Sequence, residues 1–63
     1  MGKTELKEAN RRLAEQQERV VRQEARIARL DHYGLPTDRE KELLGLMEDL
    51  LQEMRKRAWR LST

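Results

Sequence analysis

Hydrophobic residues recur along this chain at alternating steps of three and four. The first series is Leu6, Ala9, Leu13, Val20, Ile27 and Leu30, with glutamines at positions 16 and 23 filling the two vacant steps. After an interruption, Leu44, Met47, Leu51, Met54, Ala58 and Leu61 repeat the spacing. A stripe with this period is what a helix buries against a neighbouring helix. Two such series predict two helices, over roughly residues 4–33 and 38–61.

The interruption reads as a stop and a new start. Gly34 takes the left-handed conformation that closes a helix at its C′ position, which makes Leu35 the C″ residue and Leu30 the C3 residue of a Schellman closure. Pro36 cannot continue the first helix. Thr37 then serves as N-cap, with Glu40 three residues on to complete a Thr-x-x-Glu capping box. Asp38, Glu40 and Glu42 add negative charge where the second helix dipole favours it. So short a connection makes the helices antiparallel neighbours. The expectation is an all-α antiparallel hairpin, one domain over residues 1–63, with residues 1–3 disordered. His32 and Tyr33 flank the hinge, but a lone His near a helix end more often serves the last carbonyls than a ligand.

Apolar residues also fall beside the seams. Val21, Ala25 and Ala28 form a second strip on the first helix, and Leu43, Leu46 and Leu50 form one on the second. Two helices bury one seam each, so the surplus predicts another layer, most simply a second copy forming a four-helix bundle. The residues assigned to this oligomer interface are Leu13, Val20, Gln23, Ile27, Leu30, Leu43, Leu44, Met47, Leu50, Leu51 and Met54. For Gln16 the favoured reading is a place at the seam's edge, hydrogen-bonded to water, with a buried amide as the alternative. For Gln23, between Val20 and Ile27, that reading and a buried amide that fixes register stand level. Gly45 is either merely tolerated in the second helix or marks a close helix approach.

Composition narrows the class. Charged residues make up 41% of 63 residues and aromatics 3%, yet the net charge is only +2. The strict apolar period favours long helices over disorder. With no cysteine there is no disulfide to staple so small a chain, and a partner is the usual remedy. No apolar run approaches a membrane span, and the expected location is the cytoplasm.

Charge is patterned too. Arg12, Arg19 and Arg26 repeat every seven residues on one flank of the first helix, and Arg22 and Arg29 extend them outward. Gln17, Glu24 and Asp31 occupy the other flank. Antiparallel folding gathers Lys3, Lys7, Arg11 and Arg12 with Arg55, Lys56, Arg57 and Arg60 at the open end, tempered by Glu5, Glu8 and Glu53. Trp59 lies there about 70–100° off the seam centre, and the favoured role is a cap over the bundle end rather than a stacking platform for a base or a lipid headgroup.

No metal-ligand cluster, nucleophile–base pair or phosphate-binding glycine loop is present, so neither catalysis nor a cofactor is expected. The leading expectation is a homo-oligomeric interaction module, most simply a homodimer, with a face left for a partner helix of another protein. The alternative is a small basic regulator of RNA or DNA. It would bind phosphate through Arg12, Arg19, Arg22, Arg26, Arg29, Arg55, Arg57 and Arg60 with Trp59, ten arginines against four lysines suiting that geometry. Binding to an anionic membrane ranks behind both.

One further pattern bears on the fold. It runs Arg19-Val20-x-Arg22-Gln23-Glu24-x-x-Ile27-Ala28-x-Leu30, then Gly34-x-x-Thr37, then Leu43-Leu44-x-x-Met47-x-x-x-Leu50. In these residues the stretch from Glu18 to Met54 resembles a family of short, uncharacterised bacterial helical-hairpin proteins. Members usually carry a polar residue at the position of Pro36 and often lack the long first-helix extension. The resemblance implies the hairpin and attaches no activity to it. By architecture the chain is also similar to the small plasmid-encoded RNA-binding protein that dimerises as a four-helix bundle, a fold-level analogy that adds some weight to the RNA alternative.

Overall fold

The computed structural model describes residues 2–62, with the side chains of residues 3–62. Two helices, α1 (Gly2–His32) and α2 (Asp38–Ser62), lie side by side in a rod of 49 × 14 × 12 Å. The chain is therefore an all-α antiparallel hairpin. Helix α1 begins two residues earlier than the spacing predicts. Of the residues expected to be disordered, Gly2 and Lys3 are helical, and Met1 lies outside the described residues.

The hinge closes as its residues dictate. Gly34 has φ +70°. The Leu35 N–H donates to the Leu30 carbonyl at 2.9 Å and the Gly34 N–H to the Asp31 carbonyl at 3.0 Å. These are the two bonds of a Schellman closure, and they satisfy carbonyls that the helix end would otherwise leave open. Leu35 keeps its side chain exposed. The first bond of α2 runs from the Lys41 N–H to the Thr37 carbonyl at 2.9 Å, which places Thr37 at the N-cap. Glu40 departs from the expected capping box. Its carboxylate turns across to α1, where it accepts from Gln23 Nε2 at 2.9 Å and Arg26 Nε at 3.1 Å. Two donors, one of them charged, outweigh the single N–H of Thr37.

Every position of the two predicted seams is buried or half-buried. On α1 these are Leu6, Ala9, Leu13, Gln16, Val20, Gln23, Ile27 and Leu30. On α2 they are Leu44, Met47, Leu51, Met54, Ala58 and Leu61. The buried apolar side chains among the described residues are only Ala9, Val20, Leu51 and Ala58. Two of those four are alanines, so one hairpin shields little apolar area from water.

Gln16 corrects the expectation of an edge residue. At 2% exposure it is the most deeply buried large side chain among the described residues, and its Nε2 donates to the Met47 carbonyl at 2.9 Å. Gln23 is buried as well and donates to the Glu40 carbonyl at 2.9 Å. The glutamines replace water with backbone carbonyls of α2, whose second lone pairs remain free inside a helix. Both rungs join residues whose numbers add to 63, and they stand one heptad apart on each helix. Together they define the antiparallel register.

Candidate functional site

The register sorts the flanking residues onto two sides of the hairpin. Arg12 and Leu50 line one groove, so the α1 flank of Arg12, Arg19 and Arg26 opens onto the same side as the α2 flank of Leu43 and Leu50. Leu46 lies farther out on that side of α2. Val21 and Ala28 follow Val20 and Ile27 by one residue, about 100° around α1, and open onto the opposite side. The two surplus strips thus lie on different faces rather than forming one.

On the first face Leu43, Leu46 and Leu50 are 46%, 64% and 48% exposed. They form an apolar band along α2 at positions three and four apart. Glu42 and Asp49, four residues before and three after Leu46, edge the band on its outer side. Its inner side meets the arginine row. The oligomer-interface residues expected from sequence accordingly divide. Leu13, Val20, Gln23, Ile27, Leu30, Leu44, Met47, Leu51 and Met54 sit in the seam of a single hairpin, and Leu43 and Leu50 face outward. Leu46 is more exposed than either and belongs with them. Its place between Leu43 and Leu50 in the sequence is the signal for including it.

Toward the open end the band runs into a groove of ≈ 630 Å³ with Ala9, Leu50 and Met54 among its lining residues. Arg12, Arg57 and Arg60 line it together with Glu5, Glu8 and Glu53. The expected concentration of cations is therefore matched by carboxylates. Arg11 bonds Glu8 through Nη2, and its Nη1 lies 3.4 Å from Glu15. Arg12 Nε donates to Glu8 at 3.2 Å, and Lys56 Nζ lies 3.4 Å from Glu53. The hydrogen bond from Arg11 holds the Glu8 carboxyl below the usual glutamate range, with the charges of Arg11 and Arg12 adding to it, and Glu8 in turn pushes Arg11 up. Farther along α1, Arg22 pairs with Glu18 at 3.4 Å and Arg26 with Glu40 at 3.1 Å. Arg19 and Arg29 have no ion pair among the described residues.

The candidate phosphate-binding residues do not form one surface. Arg12, Arg19, Arg26, Arg57 and Arg60 share the face of the leucine band, with Arg22 and Arg29 at its outer edge. Arg55 falls on the other flank of α2. Trp59, two residues from Arg57 and thus about 200° around the helix, also points away from the arginine row. It is 69% exposed, so the expected cap is not made within one hairpin. Its carbonyl accepts from the Ser62 hydroxyl at 2.8 Å. At the hinge His32 and Tyr33 meet edge to face, with ring centroids 5.2 Å apart. Among the described residues no group of three His, Asp or Glu is placed to hold a metal ion.

Surface area measures what the hairpin leaves open. It exposes 5400 Å². A folded monomer of its 7.6 kDa exposes roughly 4,300 Å² by the scaling of surface with mass. The rod shape accounts for the difference of about 1,100 Å², which exceeds the roughly 800 Å² that each partner contributes to a stable protein–protein interface. No helix among the described residues is long and apolar enough to cross a membrane. No family model, curated protein or solved structure matches the chain.

Proposed function

We propose that this protein is a homo-oligomeric helix-packing module, a dimer of hairpins forming a four-helix bundle, which acts by offering helix faces rather than by catalysis. The observation that carries this reading is the exposed band of Leu43, Leu46 and Leu50 on a hairpin that buries only four apolar side chains among its described residues. A band of leucines costs solubility when left in water, and covering it supplies the apolar burial that one hairpin lacks. Outer faces of the bundle would remain for a helix of another protein. Sedimentation equilibrium at micromolar concentration tests the reading: a two-chain species is expected, and a stable monomer overturns it.

A second reading, binding of RNA or DNA phosphate, draws on Arg12, Arg57 and Arg60 lining one groove. Glu5, Glu8 and Glu53 in the same groove oppose it. A gel-shift titration at low salt decides: this reading expects binding that weakens steeply as salt is raised.

A further inference from the structure

We infer that the leucine band of α2 is covered by α1 of a second copy, through a two-fold axis parallel to the helices. The inference rests on the dimer reading above and specifies its geometry. Two layers of antiparallel hairpins can be related by a two-fold axis in two simple ways. An axis across the helices sets α1 on α1 and α2 on α2. That arrangement stacks the row of Arg12, Arg19 and Arg26 on its own copy, and like charges facing each other in a drying interface are strongly unfavourable. An axis along the helices sets α1 of each copy on α2 of the other and keeps every residue at its own height.

The heights follow from the two glutamine rungs. Residues whose numbers add to 63 are level, as Gln16 is with Met47 and Gln23 with Glu40. Arg19 is then level with position 44 and Arg12 with position 51. In the second arrangement Arg19 lies across the other copy's Leu43 and Leu46 and reaches Glu42 at their outer edge. Arg12 lies across Leu50 and reaches Asp49. The aliphatic stems of the arginines cover the leucines while their guanidiniums meet the carboxylates beyond. Arg19, which has no ion pair among the described residues, gains one in this way. The band is bordered by cations on one side and carboxylates on the other, and this geometry alone brings the two rows together.

A charge-exchange experiment on the full chain tests the geometry. Sedimentation equilibrium would be measured for the native chain, for Arg12→Glu/Arg19→Glu, for Glu42→Arg/Asp49→Arg, and for an equimolar mixture of the two variants. Circular dichroism checks that each remains helical. Each variant alone is expected to dissociate at least tenfold more readily than the native chain, and the mixture to recover a heterodimer. Each pair of reversals creates two like-charged contacts per subunit, and in the mixed dimer both symmetric interfaces carry opposite charges, one with the native pairs and one with the pairs reversed. If the native chain dimerises and both variants dimerise as tightly, this geometry is wrong while the dimer stands. Variants that both weaken but show no recovery on mixing also overturn it, because the rows then do not face each other. A monomeric native chain overturns the dimer reading itself. Should the reversals unfold the chain, Arg19→Gln and Asp49→Asn replace them. Each is expected to weaken the dimer about threefold and to flatten its salt dependence, and unchanged affinity and salt dependence in both would refute the contact.

Discussion

The side-chain amide of Gln16 donates to the backbone carbonyl of Met47 across the seam, and no other side chain of comparable size among the described residues is so completely withdrawn from water. A polar group in that position stabilises little by itself, since it exchanges water for a carbonyl that already accepts a helical bond. Its larger effect is to specify register, because sliding the helices by one residue would strand the amide against apolar side chains. Gln16→Ala removes the bond and leaves a void in the tightest part of the seam, and is expected to lower stability by about 1–3 kcal/mol. Gln16→Leu keeps the volume and should hold or raise the melting temperature. The double variant Gln16→Leu/Gln23→Leu loses both rungs and is expected to show more than one set of backbone amide resonances. A single set identical in pattern to the native one would show that register is fixed elsewhere.

Gly34 is tested separately, because its environment isolates one cause. A Cβ built there meets nothing within 4 Å, so space is not the constraint. The backbone angle is: φ +70° lies where a side chain collides with its own carbonyl. Gly34→Ala is expected to cost about 1–2 kcal/mol, and Gly34→Asn less, since asparagine tolerates the left-handed region. Chemical denaturation at one fixed protein concentration measures both, fixed because assembly would otherwise shift the midpoint. An alanine variant as stable as the native chain would mean that the hinge had opened into a different turn.

The ease of reading this hinge contrasts with what the sequence left open a few residues away. The Schellman bonds at Leu35 and Gly34 and the seam from Leu6 to Leu61 follow from spacing and from residues whose backbone preferences are strong. Those signals are local, so sequence suffices. The Glu40 side chain obeys no such rule. A capping partner and two donors on α1 were all within its reach, and only the meeting of the helices decides which it takes. Gln16 illustrates the same limit. The heptad position marked it as lying at the interface, but whether a long amide turns outward to water or inward to a carbonyl depends on the partner backbone. The leucine band was legible as surplus, whereas Trp59 was expected to cap the bundle end and stands exposed on a single hairpin. The side of the hairpin each occupies emerged only with the register.

The carboxylate of Glu8 gives a pH signature. Its hydrogen bond from Arg11, supported by the charges of Arg11 and Arg12, lowers its folded-state value below the ordinary 4.5. A depressed folded value means that the group's contribution to stability is present above the unfolded value and is lost as pH falls through the lowered folded one. Carboxyl resonances followed by NMR should therefore place the Glu8 midpoint below 4.5. Glu8→Gln should reduce helicity of the first turns of α1 at neutral pH and make no difference once Glu8 is protonated in the native chain. A midpoint at or above the ordinary value would remove the cluster from any account of stability.

Gly45 separates hairpin stability from assembly. It stands in the interior of α2, exposed, and a Cβ there meets nothing within 4 Å, so no close approach of α1 requires a glycine. Alanine in its place should stabilise the helix by about 0.8–1 kcal/mol through lost chain entropy in the unfolded state. Gly45 lies on the flank of α2 away from Leu43 and Leu50, and a dimer formed over the leucine band would not touch it. Gly45→Ala is therefore expected to raise the melting temperature while leaving the dimer dissociation constant within about twofold of the native one, a change under roughly 0.4 kcal/mol. Sedimentation equilibrium and thermal unfolding on the same sample supply both numbers. Weakened association with intact helicity would place a helix of the second copy against Gly45, on the face opposite the arginine row, and would transfer the interface to the side of Val21 and Ala28.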